Sequence, residues 1–161
     1  MWLYRNILLF IVLLNLNSCG FQLRESAKLP ESMQETYIET NNNRSIFFHR
    51  LKKELAFKDI EIAKSRTDAS AILKIFEDET GRRVLSVSAR NIATEYEIFY
   101  RIVFGLEEYG KISITPRELV LTRSYTFNEE LVLGKSHEEE MLSEALADDL
   151  VRMVLNQLSS N

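Results

Sequence analysis

One thiol, two imidazoles and a scatter of cationic side chains are the groups in this 161-residue chain whose types could do chemistry. Cys19, directly after Leu16-Asn17-Ser18, is the sole cysteine, so it has no partner for a disulfide or a redox couple. An unpaired cysteine can still be acylated. His49 and His137 have no Cys or His neighbour at metal-ligand spacing, and each reads as a surface residue. No serine stands in a nucleophile elbow, and no glycine-rich phosphate loop is present. The run Glu138-Glu139-Glu140 is explained by a helix start, where the dipole favours negative charge, without an acid-base role. No catalytic residue, metal ligand or cofactor is therefore expected, and the chain reads as a non-enzyme. Arg90, beside Asn91, and Lys135 fall at the ends of predicted elements, where a rigid scaffold can hold a binding group. An arginine grips a phosphate through two parallel hydrogen bonds and a lysine acts as a point charge; both positions are equally compatible with solvated surface charges. Arg101 and Arg123, inside predicted strands, are weaker candidates, each able to pair with a glutamate across a sheet.

Cys19 is positioned by what precedes it. Arg5 supplies a positive charge, Ile7 to Leu14 is an unbroken apolar run, and the small Ser18 stands before the thiol. This is the three-part layout of a secretory signal peptide, and eight apolar residues fall well short of the roughly 20 a membrane span needs. A cysteine at the cleavage point resembles the end of a bacterial lipoprotein signal, although Asn17 is not among the commonest residues at its place. Cys19 is then the lipidated first residue of the mature chain. Gly20, rather than Asp, follows it, and by similarity with lipoprotein sorting this points to the outer membrane, with the soluble part facing the periplasm. Residues 1–18 are read as the signal, 19–34 as a lipidated tether and 35–161 as a single domain.

Removing eighteen residues leaves 143, enough for one compact core. At 45% hydrophobic and 27% charged residues the chain is expected to fold rather than remain disordered. The formal charge of −4 becomes −5 when Arg5 leaves with the signal, which argues against a nucleic-acid partner held by a broad basic field.

Glu35 to Thr40 reads as a strand, and Phe47, Phe48, Leu51 and Leu55 mark an amphipathic helix over about Arg44 to Phe57. Ala71 to Glu77 and Arg83 to Ala89 flank the polar Asp78-Glu79-Thr80-Gly81 and read as two arms of a hairpin. Thr94 to Phe104 alternates Tyr96, Ile98, Tyr100, Ile102 and Phe104 against Glu95, Glu97 and Arg101, giving one core face and one wet face. Glu107 to Pro116 reads as a connection, with a strand extension at Ile112 to Ile114, and Glu118 to Phe127 as the last strand. Ser136 with Glu139 forms a capping box opening a helix over about His137 to Leu158, whose apolar stripe is Leu142, Ala145, Leu146, Leu150, Met153, Val154 and Leu158. The order predicts an α+β fold, with two helices packed on one face of a mostly antiparallel sheet.

With these residues in view the chain resembles the family of LPS-assembly lipoproteins called LptE. The matching pieces are Cys19-Gly20-Phe21-Gln22-Leu23-Arg24, Leu29-Pro30 with Met33 and Tyr37, Val84-Leu85-Ser86-Val87, Glu95-Tyr96-Glu97, Thr122-Arg123-Ser124-Tyr125-Thr126-Phe127, and Val132-Leu133-Gly134-Lys135 before Glu138-Glu139. Glu25 departs from the pattern, where a glycine commonly follows the Leu-Arg pair. The resemblance implies two helices packed on a mostly antiparallel four-stranded sheet as a two-layer sandwich, in a protein anchored in the outer membrane by its N-terminal lipid, seated as a plug inside an LptD-like β-barrel and binding lipopolysaccharide. Arg90 and Lys135 would then meet phosphates of that ligand. The competing reading is a structural or lipid-carrier lipoprotein facing the periplasm without a barrel partner.

Overall fold

The computed structural model describes residues 28–126 and 132–160 together with Trp2, with side chains from His137 onward in the second segment. Strand β1, Glu35–Thr40, buries Thr36 and Ile38 on one face. Ser45 then caps helix α1, Ile46–Phe57, by accepting the Phe48 N–H at 2.9 Å. Phe47, Leu51 and Leu55 recur at helical spacing and are fully buried. Asp59, in the left-handed region at φ 59°, turns the chain after α1 into the short β2, Glu61–Ile62. Three long strands follow, β3 Ala71–Val87, β4 Ala93–Glu108 and β5 Lys111–Thr126, and helix α2, Val132–Ser159, closes the domain.

The sheet order is β2-β1-β3-β4-β5. β1 runs parallel to both β2 and β3, because α1 carries the chain back to the starting edge, while β3, β4 and β5 are antiparallel neighbours joined by tight turns. The sheet is thus five-stranded and mixed, where the resemblance implies four strands and the order of elements mostly antiparallel pairing. The parallel pair was hidden because β1 and β3 are separated by a whole helix. Both helices cover one face. Ile98, Tyr100, Ile102 and Phe104 of β4 meet Leu146, Leu150, Val154 and Leu158 of α2 in a single core, and Arg50 of α1 ties the helices together through Glu144 and Asp148 of α2.

Several expectations are corrected. Asp78 to Gly81 is not a turn: β3 continues through it, and Asp78, Thr80 and Gly81 pair with Ile102, Tyr100 and Phe99. Gly81 lies beneath the Phe99 ring, and a Cβ there would sit 2.9 Å from the ring's Cζ, so this glycine serves ring-over-backbone packing. The reversal lies at Ser88 to Ile92. Glu107 to Pro116 is likewise mostly strand, with its turn confined to Tyr109 and Gly110; Pro116 is accommodated at a register shift opposite Gly105 on an outer strand, where its missing N–H costs no ladder bond. Helix α2 begins at Val132, before the proposed capping box, so Lys135 and Ser136 lie inside it rather than in a loop. Nothing between Val132 and Ser136 forbids a helix, since the lone glycine costs only about 1 kcal/mol. Leu146 and Leu150 are core residues as expected, but Met153 is exposed, and Ala147, Val151 and Leu155 complete the buried stripe. Met33, assigned to the tether over 19–34, is fully buried, and Thr36 Oγ1 donates to its carbonyl at 2.6 Å, so the packed domain reaches back to the 3-10 turn Glu31–Gln34. Cys19 and the signal residues 3–18 lie outside the described residues.

Candidate functional site

The long strands outrun the helices at one end, here called distal. At its base, Arg82 on the helix side of β3 lies 5.0 Å from the centre of the Tyr96 ring, and Tyr96 stacks on Tyr125 of β5 at 5.8 Å. Glu139, on α2, accepts from Arg82 Nη1 and from the Tyr125 hydroxyl. Burial and the Glu139 hydrogen bond push the Tyr125 phenol up to about 12. A groove of about 280 Å³ opens here between β3 and α2, lined by Thr80, Gly81, Arg82, Ile98, Glu139 and Ser143.

Beyond this base β3 and β4 continue as a two-stranded arm. Val87 is five residues past Arg82, about 17 Å at ~3.4 Å per residue. The tip is a turn in which Ser88 N donates to the Ile92 carbonyl at 2.7 Å and Asn91 N to the Ser88 carbonyl at 2.9 Å, with Asn91 at φ 60°. Ser88 Oγ accepts from the amides of Arg90 and Ile92, both at 3.3 Å, so the backbone of the turn is tied without the Arg90 side chain. Arg90 is exposed on that turn. Around it Val84, Leu85, Val87 and Ile92 are between 39% and 54% exposed. Two register shifts between Val84 and Val87 break the alternation, so neighbouring apolar residues face outward together. A cationic turn bearing exposed aliphatic groups is suited to an amphiphile with an anionic head and an apolar tail.

Of the residues singled out from sequence, Arg90 stands at this tip, and Lys135 stands in the opening turn of α2, one turn before Glu139, at the same end on a separate element. Arg101 is in the middle of the opposite sheet face, paired across strands with Glu77, Glu79 and Glu118. Arg123 instead reaches over the sheet to Asp149 of α2 at 2.9 Å. Both are structural. His49 and His137 are exposed, and among the described residues no group of three or more His, Cys, Asp or Glu is placed to hold a metal. No helix among the described residues is long and apolar enough to cross a membrane. Sequence reasoning missed Arg82 and the apolar tip. The available signal was Val84-Leu85, two adjacent apolar residues that a single-faced strand cannot both bury.

A family model described as LptE, lipopolysaccharide-assembly, matches residues 33–158. The LPS-assembly lipoproteins LptE of Yersinia enterocolitica and Yersinia pestis are each 21% identical over 154 residues, covering 94% of this chain and 73% of the relative. Among solved structures, an uncharacterized lipoprotein B from Nitrosomonas europaea superposes with a TM-score of 0.73 at 27% identity, over 88% of this chain and 91% of that one. A minor lipoprotein from Acinetobacter baumannii gives 0.67 at 23% identity, over 82% and 95%. The rare lipoprotein B from Shewanella oneidensis gives 0.68 at 21% identity, over 78% and 94%, and like the preceding likeness it speaks for the fold.

Proposed function

Because this chain belongs to the LptE lipopolysaccharide-assembly family, we propose that it is an outer-membrane lipoprotein that binds lipopolysaccharide and is the plug and assembly partner of an LptD-like β-barrel. Cys19 carries the lipid that holds it to the periplasmic side, and the protein catalyses no reaction. The observation that carries the binding reading is the distal arm, where exposed Arg90 stands among outward-facing Val84, Leu85, Val87 and Ile92. A lipid A headgroup offers phosphates to the guanidinium while its acyl chains remove aliphatic side chains from water. Lys135, at the same end, adds a second positive charge for the headgroup. Insertion into a barrel is favoured by the arm's length, which lets the tip reach well past the helices. Ligand held at the tip is thereby presented away from the tether.

The test is the charge-reversed pair Arg90→Glu with Lys135→Glu. Losing a hydrogen bond to a charged group costs about 1.5–3 kcal/mol, so binding of bisphosphorylated lipid A should weaken roughly tenfold or more at low salt. The difference should shrink as salt is raised, and circular dichroism should be unchanged. Binding equal to the parent at low salt would assign both residues to the solvated surface.

A further inference from the structure

The cluster at the base of the arm lies outside the cationic tip, and it joins two elements that approach the distal end separately. Helix α2 runs antiparallel to β5: Gln157 lies beside Arg117, Asp149 beside Arg123, and Glu139 beside Tyr125. The helix therefore begins at the distal end. Among its described side chains, however, the buried stripe starts only at Leu146, with Leu142 partly buried against the core. Ahead of Leu142 the helix is held by Glu139, which accepts from Arg82 of β3 and from the Tyr125 hydroxyl of β5. Arg82 is itself fixed, because its guanidinium lies 5.0 Å from the centre of the Tyr96 ring and Tyr96 stacks on Tyr125. Lys135 precedes Glu139 by four residues, so the two share one face of the helix, and Lys135 stands about 6 Å nearer the tip at ~1.5 Å per residue.

We propose that Arg82 and Tyr125 are positioning residues for ligand binding: by holding Glu139 they fix the opening turns of α2, so that Lys135 and Arg90 grip one bisphosphorylated headgroup together. The inference rests on the reading of Arg90 and Lys135 as the ligand's cationic contacts. The end of a helix frays where no buried contact ties it, and two cations on separate elements reinforce each other on one ligand only when their spacing is set beforehand. Arg82 does not itself take the anion. It donates to Glu139, whose carboxylate offsets its charge, and one side of its guanidinium is covered by the Tyr96 ring. Nor is the pair there chiefly for stability. The Arg82 and Glu139 side chains are 53% and 26% exposed, and an ion pair this open to water contributes little to folding. What it does is orient the helix.

The test compares affinities of the detergent-purified protein, at low salt, for lipid A with two phosphates and for its monophosphorylated form. Arg82→Met keeps the apolar stem and removes the donors. It should weaken binding of the bisphosphorylated form about tenfold, the scale of one lost hydrogen bond to a charged group, and leave the monophosphorylated form, which needs one cation, within about twofold. Adding Lys135→Gln to Arg82→Met should cost nothing more, because the contact is already lost. Arg82→Lys, which can still meet Glu139, should restore most of the affinity. Glu139→Ala should also weaken the bisphosphorylated form, although it removes a negative charge and frees Arg82. Circular dichroism and the melting temperature should stay near those of the parent. Tighter binding by Glu139→Ala, an equal loss on both lipids, or full affinity in Arg82→Met where Lys135→Gln alone weakens binding would overturn the inference and leave the ligand reading standing. Parent affinity in Lys135→Gln itself would overturn that reading and this inference with it.

Discussion

Replacing Tyr100 by Phe isolates the polar contact that seats α1 on the sheet. The Tyr100 hydroxyl accepts the Phe47 N–H at 3.2 Å and donates to Asp78 Oδ1 at 3.0 Å, while Ser45 accepts the Phe48 N–H and donates to the other Asp78 oxygen. Two first-turn amides of the helix are thus satisfied by hydroxyls whose protons go to one carboxylate. Phenylalanine fills the same buried volume, so no cavity term enters. What is lost is a hydrogen bond to a charged acceptor, about 1.5–3 kcal/mol, and what is left is an unsatisfied buried amide, with a combined cost of roughly 2–4 kcal/mol. At about 2–8 °C per kcal/mol for a domain of this size, the melting temperature should drop by ~10 °C. The effect should also depend on pH. Burial raises the Asp78 carboxyl above its ordinary range, against the opposing hydrogen bonds from Ser45 and Tyr100. A raised native value means that Asp78 contributes stability in acid, below its unfolded-state value, and loses that contribution as pH rises through its native value. Removing the Tyr100 donor raises the carboxyl further, so the variant should be hurt more at neutral pH than near pH 4. A double-mutant cycle with Ser45→Ala, followed by thermal melts at both pH values, measures the coupling through Asp78. Equal melting of Tyr100→Phe and parent at neutral pH would refute the assignment of helix seating to this network.

Leu150→Ala removes a fully buried side chain at the centre of the α2 stripe and should cost about 2–5 kcal/mol in chemical denaturation; a loss under 1 kcal/mol would place the stripe outside the core. Tyr125, with its phenol raised to about 12, contributes stability below pH 10 that is lost as pH climbs towards 12. Tyr125→Phe should flatten part of the alkaline decline in melting temperature, and Tyr100, whose phenol burial also raises, contributes a further part.

The elements whose periodicity is strong could be read from the sequence. Phe47, Leu51 and Leu55, the alternation from Tyr96 to Phe104, and the stripe through Leu146 and Leu150 all lie where expected, because each pattern is local and tied to one buried face. What could not be read depended on partners distant in sequence. Asp78 looks like a turn residue until Ser45 and Tyr100 supply its hydrogen bonds, and Gly81 looks like a turn glycine until Phe99 covers it. That pair of misleading signals split β3 in two and concealed the distal arm, although Arg90 was correctly placed at a chain reversal. Lys135 was misplaced for the opposite reason, since Ser136 and Glu139 satisfy a capping pattern inside a helix that had already begun at Val132.

Residence of this lipoprotein inside a barrel can be read by placing a photo-crosslinking residue at Val87 on the arm, irradiating intact cells and analysing the adducts from outer membranes by mass spectrometry. The expected result is an adduct with a large LptD-like β-barrel protein or with lipopolysaccharide held in it, and co-purification of that barrel through detergent extraction. Adducts confined to phospholipid or peptidoglycan, with no barrel retained, would contradict it.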